Sequence, residues 1–302
     1  MKRTRVDVVF DTVNIILMVI ILIIMLYPLY FTIIASISEP RYVALGELTF
    51  LPRGFTWDAY ANVFRDNRIW RGYINSIYYT VAGTLISLAL TLPAAYALSK
   101  KKMRGRTVIS WYFLFTMFFS GGLIPTYLIV RDVGLLNKSY SLAVLGCLSV
   151  WNVVVTRVFY QSSIPDELYE AAKIDGCTEF GMFFKIAMPL SGAIIAVMSL
   201  FYAVGRWNDF FTGLIFLSNS DYFPLQLVLR NILMAGQIAL ASIQASGRNL
   251  SAEQMLVLTR NMYLAEAMKY SLIFIASAPL LLAYPFVQKY FVKGVMIGSL
   301  KG

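Results

Sequence analysis

Histidine is missing altogether from this 302-residue chain, and cysteine occurs only at Cys147 and Cys177. Without an imidazole there is no His-assisted nucleophile and no His-containing metal site. Two cysteines, one in an apolar stretch and one in a polar stretch, suggest neither a zinc set nor a disulfide framework. A Gly-x-x-x-x-Gly-Lys-Ser/Thr loop is absent too, so if ATP powers this protein a partner must bind it. Charge is scarce: Asp, Glu, Lys and Arg make up 14% of the residues, against about 25% in a typical soluble domain. Nor does a repeat of fixed period or a low-complexity linker divide the chain, which reads as one membrane domain.

What fills the chain instead is apolar. Hydrophobic residues reach 59%, above the roughly 45–50% of soluble domains, so a bilayer is the expected solvent. A formal net charge of +10 would suit a nucleic-acid partner in a soluble protein, but the basic residues gather at the ends of apolar stretches rather than on one face. That distribution is the positive-inside pattern, and no nucleic-acid partner is expected.

Six spans follow from the apolar runs. Residues 1–12, with Lys2, Arg3 and Arg5, form a cytoplasmic N-terminal segment ahead of a first span at 13–36, which is too long for a secretory signal. An external loop carrying Pro40, Pro52, Trp57, Tyr60 and Trp70 leads to a second span at 73–98, and Lys100, Lys101, Lys102, Arg104 and Arg106 then mark the cytoplasmic side. Spans three to six are expected at 109–130, 140–160, 186–211 and 270–291, with a cytoplasmic tail at 292–302. Gly121, Gly122 and Pro125 should bend or loosen the third. Residues 212–269 are read as an external excursion with helical segments.

Between the fourth and fifth spans lies a polar interruption, Ile164-Pro165-Asp166-Glu167-Leu168-Tyr169-Glu170-Ala171-Ala172-Lys173-Ile174-Asp175-Gly176. Proline at a first helical position, acids in the first turn and glycine after the last turn predict a short helix from about Pro165 to Asp175. Leu168, Ala171, Ala172 and Asp175 recur at helical spacing and make a small, mostly apolar face that another protein could approach closely. Gly176 suits a left-handed turn, and Thr178 with Glu179 suits the start of a second helix.

Glu170-Ala171-Ala172, then Gly176, then Ile186-Ala187-Met188-Pro189 resembles the EAA loop of the membrane-spanning subunits of bacterial ABC importers. The Asp175-Gly176 pair resembles the carbohydrate branch, and the chain is similar over nearly all its length to the permeases grouped as LplC/YtcP-like, related to the MalG type. Its tail, Val292 to Gly302, is typical of that group, while Met188 stands where leucine is usual, a conservative departure. The resemblance implies an all-α membrane fold of about six transmembrane helices, multi-pass in the bacterial inner membrane, with a cytoplasmic coupling helix between spans four and five. Glu170, Ala171, Ala172, Asp175 and Gly176 would be the coupling residues. It also implies a heterodimer with a second permease subunit, two cytoplasmic ATPase subunits that carry ATP and Mg²⁺, and an extracellular or periplasmic solute-binding protein delivering an oligosaccharide. The chain itself would be no enzyme and need no cofactor.

Polar side chains at bilayer depth are costly and tend to face a bundle interior or a wet pathway. Asn75, Asn152, Arg157, Gln161, Arg206, Asn208 and Asp209 qualify by position. Trp151-Asn152 and Trp207-Asn208-Asp209 set an aromatic plate beside hydrogen-bonding groups, which suits a sugar with apolar ring faces and a hydroxyl rim. The second stretch also resembles one common in carbohydrate permeases. Against this, tryptophan at a span end is usually an interfacial anchor and asparagine often joins helices. An ion-coupled transporter or channel would show paired mid-membrane charges or an inverted repeat, and neither is evident.

Overall fold

A computed structural model describes residues 4–245 and 252–299. Among these, every regular element is helical. Cα packing divides the chain into two compact units, Met1–Ile69 with Leu229–Pro279, and Trp70–Val228 with Leu280–Gly302.

In the first unit, helix α1 (Arg5–Ser36) starts on a reciprocal cap: Thr4 Oγ1 accepts from Asp7 N, and Asp7 Oδ2 accepts from Thr4 N. From Asp7 to Tyr30 its side chains are exposed on all sides, Ile24 for example at 65%, and only its last turn is buried. A helix apolar all round needs lipid or another protein about it. Short helices α2 (Pro40–Ala44) and α3 (Asp58–Arg65) follow. They are tied back to the end of α1: Thr56 N donates to the Ile37 carbonyl at 3.0 Å and Tyr60 Oη to Ser36 Oγ at 2.8 Å. Ala35, Val43, Leu48, Ala59 and Ala267 form the unit's buried cluster.

The second unit is built on α4 (Asn67–Ser99), which continues through Pro93. Beyond it come α5 (Arg106–Phe118) and α6 (Leu123–Asp132), bent from one another by 116°. The bend falls at the Gly121-Gly122 pair singled out in the sequence. Helices α7 (Ser141–Val144), α8 (Val150–Ser163), α9 (Asp166–Ile174) and α10 (Glu179–Met182) follow. A π-helical stretch, Phe183–Ala187, and α11 (Met188–Leu190) then turn by 81° into α12 (Gly192–Trp207). Helix α13 (Phe211–Phe216) and a 3₁₀ turn at Ser220–Tyr222 follow, and the order is completed by α14 (Leu225–Ala245) and α15 (Ala252–Ser299), of which Leu229 to Pro279 belongs to the first unit.

Three described helices are long and apolar enough to cross a membrane, Asp7–Ser36, Asn67–Ser99 and Thr259–Leu282, and the two bent pairs bring the number to as many as five. Six were expected. The expected fourth span, 140–160, has no counterpart among these: α7 stops at Val144, Leu145 turns extended and Ser149 caps a new helix by accepting from Asn152 N. Each remaining piece is shorter than the ~20 residues that cross a bilayer. Within the expected cytoplasmic tail, 292–302, α15 continues as helix to Ser299, and residues 300–302 lie outside the described residues.

Candidate functional site

Two places gather the candidate side chains, both within the second unit. The first is the helix and turn at 165–182. Pro165 sits extended at the N-cap, and Asp166 and Glu167 occupy the first turn, where carboxylates meet unpaired amide groups. At the far end Gly176 has φ +74°. Its N–H donates to the Lys173 carbonyl at 3.1 Å, and that of Cys177 donates to the Ala172 carbonyl at 2.9 Å. This pair of bonds is the Schellman closure, which needs a left-handed residue and so favours glycine. Thr178 then caps α10 by accepting from Gly181 N at 3.2 Å.

The short helix is pinned on one side. Tyr169 packs on the cluster that includes Tyr96, Tyr160, Ile164 and Phe183. Lys100, just past the end of α4, lies with its Nζ 2.8 Å from the Tyr169 ring centroid and 4.6 Å from that of Tyr96, a cation–π arrangement. Burial pulls the Lys100 ammonium down to about 8, against the opposing pull of Glu179 and Asp166. Burial likewise pushes the Tyr169 hydroxyl up to about 12. The Lys101–Asp166 pair, 3.8 Å apart with both partners well exposed, adds little.

The opposite side is open. Glu170, Ala171, Asp175 and Gly176 are exposed, whereas Ala172 is half-buried beside Tyr169. Leu168 is 43% exposed and Ile174 86%, with Phe180 on α10 at 78%. The sequence argument singled out Leu168 but missed Ile174 and Phe180. Their signal was available as apolar residues within a polar interruption.

The second place is a cavity of about 490 Å³ between α6, α8, α12 and α13, lined among others by Thr126, Ser149, Asn152, Tyr202, Arg206, Asp209 and Thr212. Tyr202 Oη shares a hydrogen bond with Thr91 Oγ1 at 2.6 Å and accepts from Ser149 N at 3.3 Å. Arg206 Nη1 donates to the Leu145 carbonyl at 2.6 Å and also to that of Leu142. The guanidinium thereby closes the last turn of α7, where carbonyls lack partners within the helix. Gly83 leaves room for it, since a Cβ there would stand 3.0 Å from Arg206 Nε. Asp209 Oδ1 accepts from Thr212 N at 3.0 Å and caps α13.

Of the five residues expected along a substrate pathway, Asn152 and Asp209 meet on this cavity. Trp151 and Asn208 do not line it: Trp151 is 58% exposed and Asn208 donates to the Val204 carbonyl of its own helix at 3.0 Å. Trp207 is 4% exposed and packs 6.0 Å from the Tyr73 ring. The tryptophans expected beside the polar groups are therefore not part of its wall, whose aromatic side chains are Phe201, Tyr202 and Phe216. Tyr202 and Ser149 line the wall instead, and neither stands out in sequence.

Comparison with known proteins places the chain. Residues 69–297 match the family described as binding-protein-dependent transport system inner membrane component. Protein LplC of Bacillus subtilis (strain 168) is 38% identical over 302 residues, covering 100% of this chain and 98% of that protein. The polygalacturonan/rhamnogalacturonan transport system permease protein YtcP of the same organism is 36% identical over 275 residues, covering 91% and 92%. A crystal structure of a bacterial ABC transporter involved in the import of the acidic polysaccharide alginate contains a chain similar to this one, with a TM-score of 0.83 and 32% identity over 96% of this chain and 99% of that one. This chain belongs to the family of binding-protein-dependent transport system inner membrane components, as a multi-pass permease subunit of a bacterial ABC importer.

Proposed function

We propose that this permease is one half of a heterodimeric channel that admits an oligosaccharide handed over by an extracellular solute-binding protein, and that α9 is the handle by which two cytoplasmic ATPase subunits move it. ATP and Mg²⁺ belong to those partners. A helix bundle that rocks as a rigid body needs a contact through which the motor can push. The observation that carries this reading is the two-sidedness of α9. Tyr169 is held in the core under Lys100, while Leu168, Ala171 and Ile174 face outward beside Glu170. An exposed apolar stripe on a firmly anchored helix suits a protein groove better than water.

The substrate reading rests on the cavity at Asn152 and Asp209 together with the relatives. Two of them are named for polymers of this kind, polygalacturonan/rhamnogalacturonan and the acidic polysaccharide alginate. A cavity of mixed donors and acceptors with one arginine and one aspartate suits a hydroxyl-rich ligand that also carries charge.

Glu170→Lys tests the coupling role. Reversing a charge at a docking rim removes a charge-assisted hydrogen bond worth about 1.5–3 kcal/mol, so ATPase co-purification and uptake should each fall about tenfold or more. Membrane content should stay near wild type. Normal uptake at normal protein content would refute the role.

A further inference from the structure

Beside the helix–turn–helix, where α4 ends, lies a second cavity of about 460 Å³. Its wall is apolar, with Pro93, Met103 and Phe180 among its lining residues, and its rim carries Lys100, Lys102 and Glu179. Phe180 is 78% exposed, so the wall continues out of the cavity as open apolar surface. Among the described residues neither Lys100 nor Lys102 forms an ion pair. Two ammonium groups and one carboxylate leave the rim one positive charge in excess.

Three features of this cavity point to the same ligand. It opens at the end of a span, where the basic run places the boundary between inner leaflet and cytoplasm. It offers hydrocarbon-like surface below and cationic donors above, the order in which a phospholipid presents acyl chain and phosphate. Its unbalanced charge is met by a lipid of one net negative charge, and Glu179 can accept from a headgroup hydroxyl. We propose that this cavity seats one acidic glycerophospholipid of the inner leaflet, with its phosphate on Lys102 and Lys100 and an acyl chain along Pro93, Met103 and Phe180. The inference uses the orientation of the chain assumed above but neither the coupling role of α9 nor the nature of the transported substrate. Occupancy would tie leaflet composition to the segment that follows the Gly176 turn.

Native mass spectrometry of the full chain, released with its accompanying subunits from phosphatidylcholine vesicles containing a minority of phosphatidylglycerol, reads occupancy without any transport assay. One phosphatidylglycerol should be retained in preference to phosphatidylcholine. Lys102→Glu should lower its retention about fivefold or more, the scale set by one basic side chain at an anionic surface, and Lys102→Arg should keep it. Arg104→Glu alters the same basic run outside the cavity and should leave retention within about twofold. Equal loss in Lys102→Glu and Arg104→Glu, or equal retention of both lipids, would overturn the site. So would a photo-crosslinker at Phe180 that captures an ATPase subunit and no lipid. Failure of the Glu170→Lys test would leave this result standing.

Discussion

Glu170 in the middle of α9 and Asp209 just before α13 are both carboxylates, yet their surroundings are made in opposite ways. Around Glu170 the hydrogen bonds that shape α9 and its turn close within a few residues: Gly176 to Lys173, Cys177 to Ala172, Gly181 to Thr178. Around Asp209 the wall depends on bonds between distant parts of the chain. Arg206 reaches carbonyls 61 and 64 residues away, and Tyr202 meets Thr91 across 111. The first region is a local motif resting on a core, and the second exists only when four helices converge. A defect should therefore stay confined in the first and spread in the second.

The largest expected effect breaks the local motif. Gly176→Pro demands a φ near −65° where the turn holds +74° and deletes an N–H that donates to Lys173, at a cost of about 3 kcal/mol or more. Uptake should fall to background while immunoblots of the membrane fraction stay near wild type, since neither α4 nor α12 contains the residue. Disappearance of the protein from the membrane would show that the turn supports the whole unit, and the contrast would fail.

Arg206→Met comes next and addresses the convergent region. It leaves the Leu142 and Leu145 carbonyls without their charged donor, worth about 1.5–3 kcal/mol. The thermal unfolding midpoint in detergent should drop, and the drop should be larger than that for Glu170→Lys. An unchanged midpoint would mean that the cavity does not depend on this clamp.

Asn152→Ala and Asp209→Asn sharpen the comparison from the functional side. Each removes about one hydrogen bond's worth from the cavity, roughly 1 kcal/mol, so the apparent affinity for the transported substrate should weaken about fivefold. Protein amount and basal ATPase activity should hold. Trp207, buried against Tyr73, should instead show its substitution as lost protein rather than altered affinity.

The smallest effect is a pH dependence at the anchor of α9. Lys100 has its folded pKa depressed by burial to about 8 from 10.5, so the unfolded chain holds the extra proton between those values. Burying the charged form costs stability below about pH 8, and that cost is relieved as pH rises toward 10.5. The difference in unfolding midpoint between wild type and Lys100→Met should therefore shift in favour of wild type across that window. A flat difference would indicate that the ammonium is fully solvated.

Much of α9 was legible because its signals are short-range: proline before it, acids at its start, glycine after it. Even there, Ile174 was visible as an apolar residue in a polar stretch, but that it faces outward follows only from the side that Tyr169 anchors. The cavity was half legible. Asn152 and Asp209 stood out as polar groups in apolar runs, but Trp151, Trp207 and Asn208 were equally good by that test and lie elsewhere. Adjacency in sequence puts neighbours on a helix about 100° apart, so a tryptophan beside an asparagine or aspartate tends to face a different surface.

The chain's own residues determined that it lives in a bilayer and that a capped helix with a left-handed glycine turn interrupts the apolar run near its middle. Each follows from composition or from hydrogen bonds between near neighbours. Only the tertiary structure decided that 140–160 breaks into two helices, that Arg206 closes the end of one of them, and that Tyr202 and Ser149 share a wall with Asp209. Those outcomes depend on which distant group satisfies a freed carbonyl or fills the space beside a glycine.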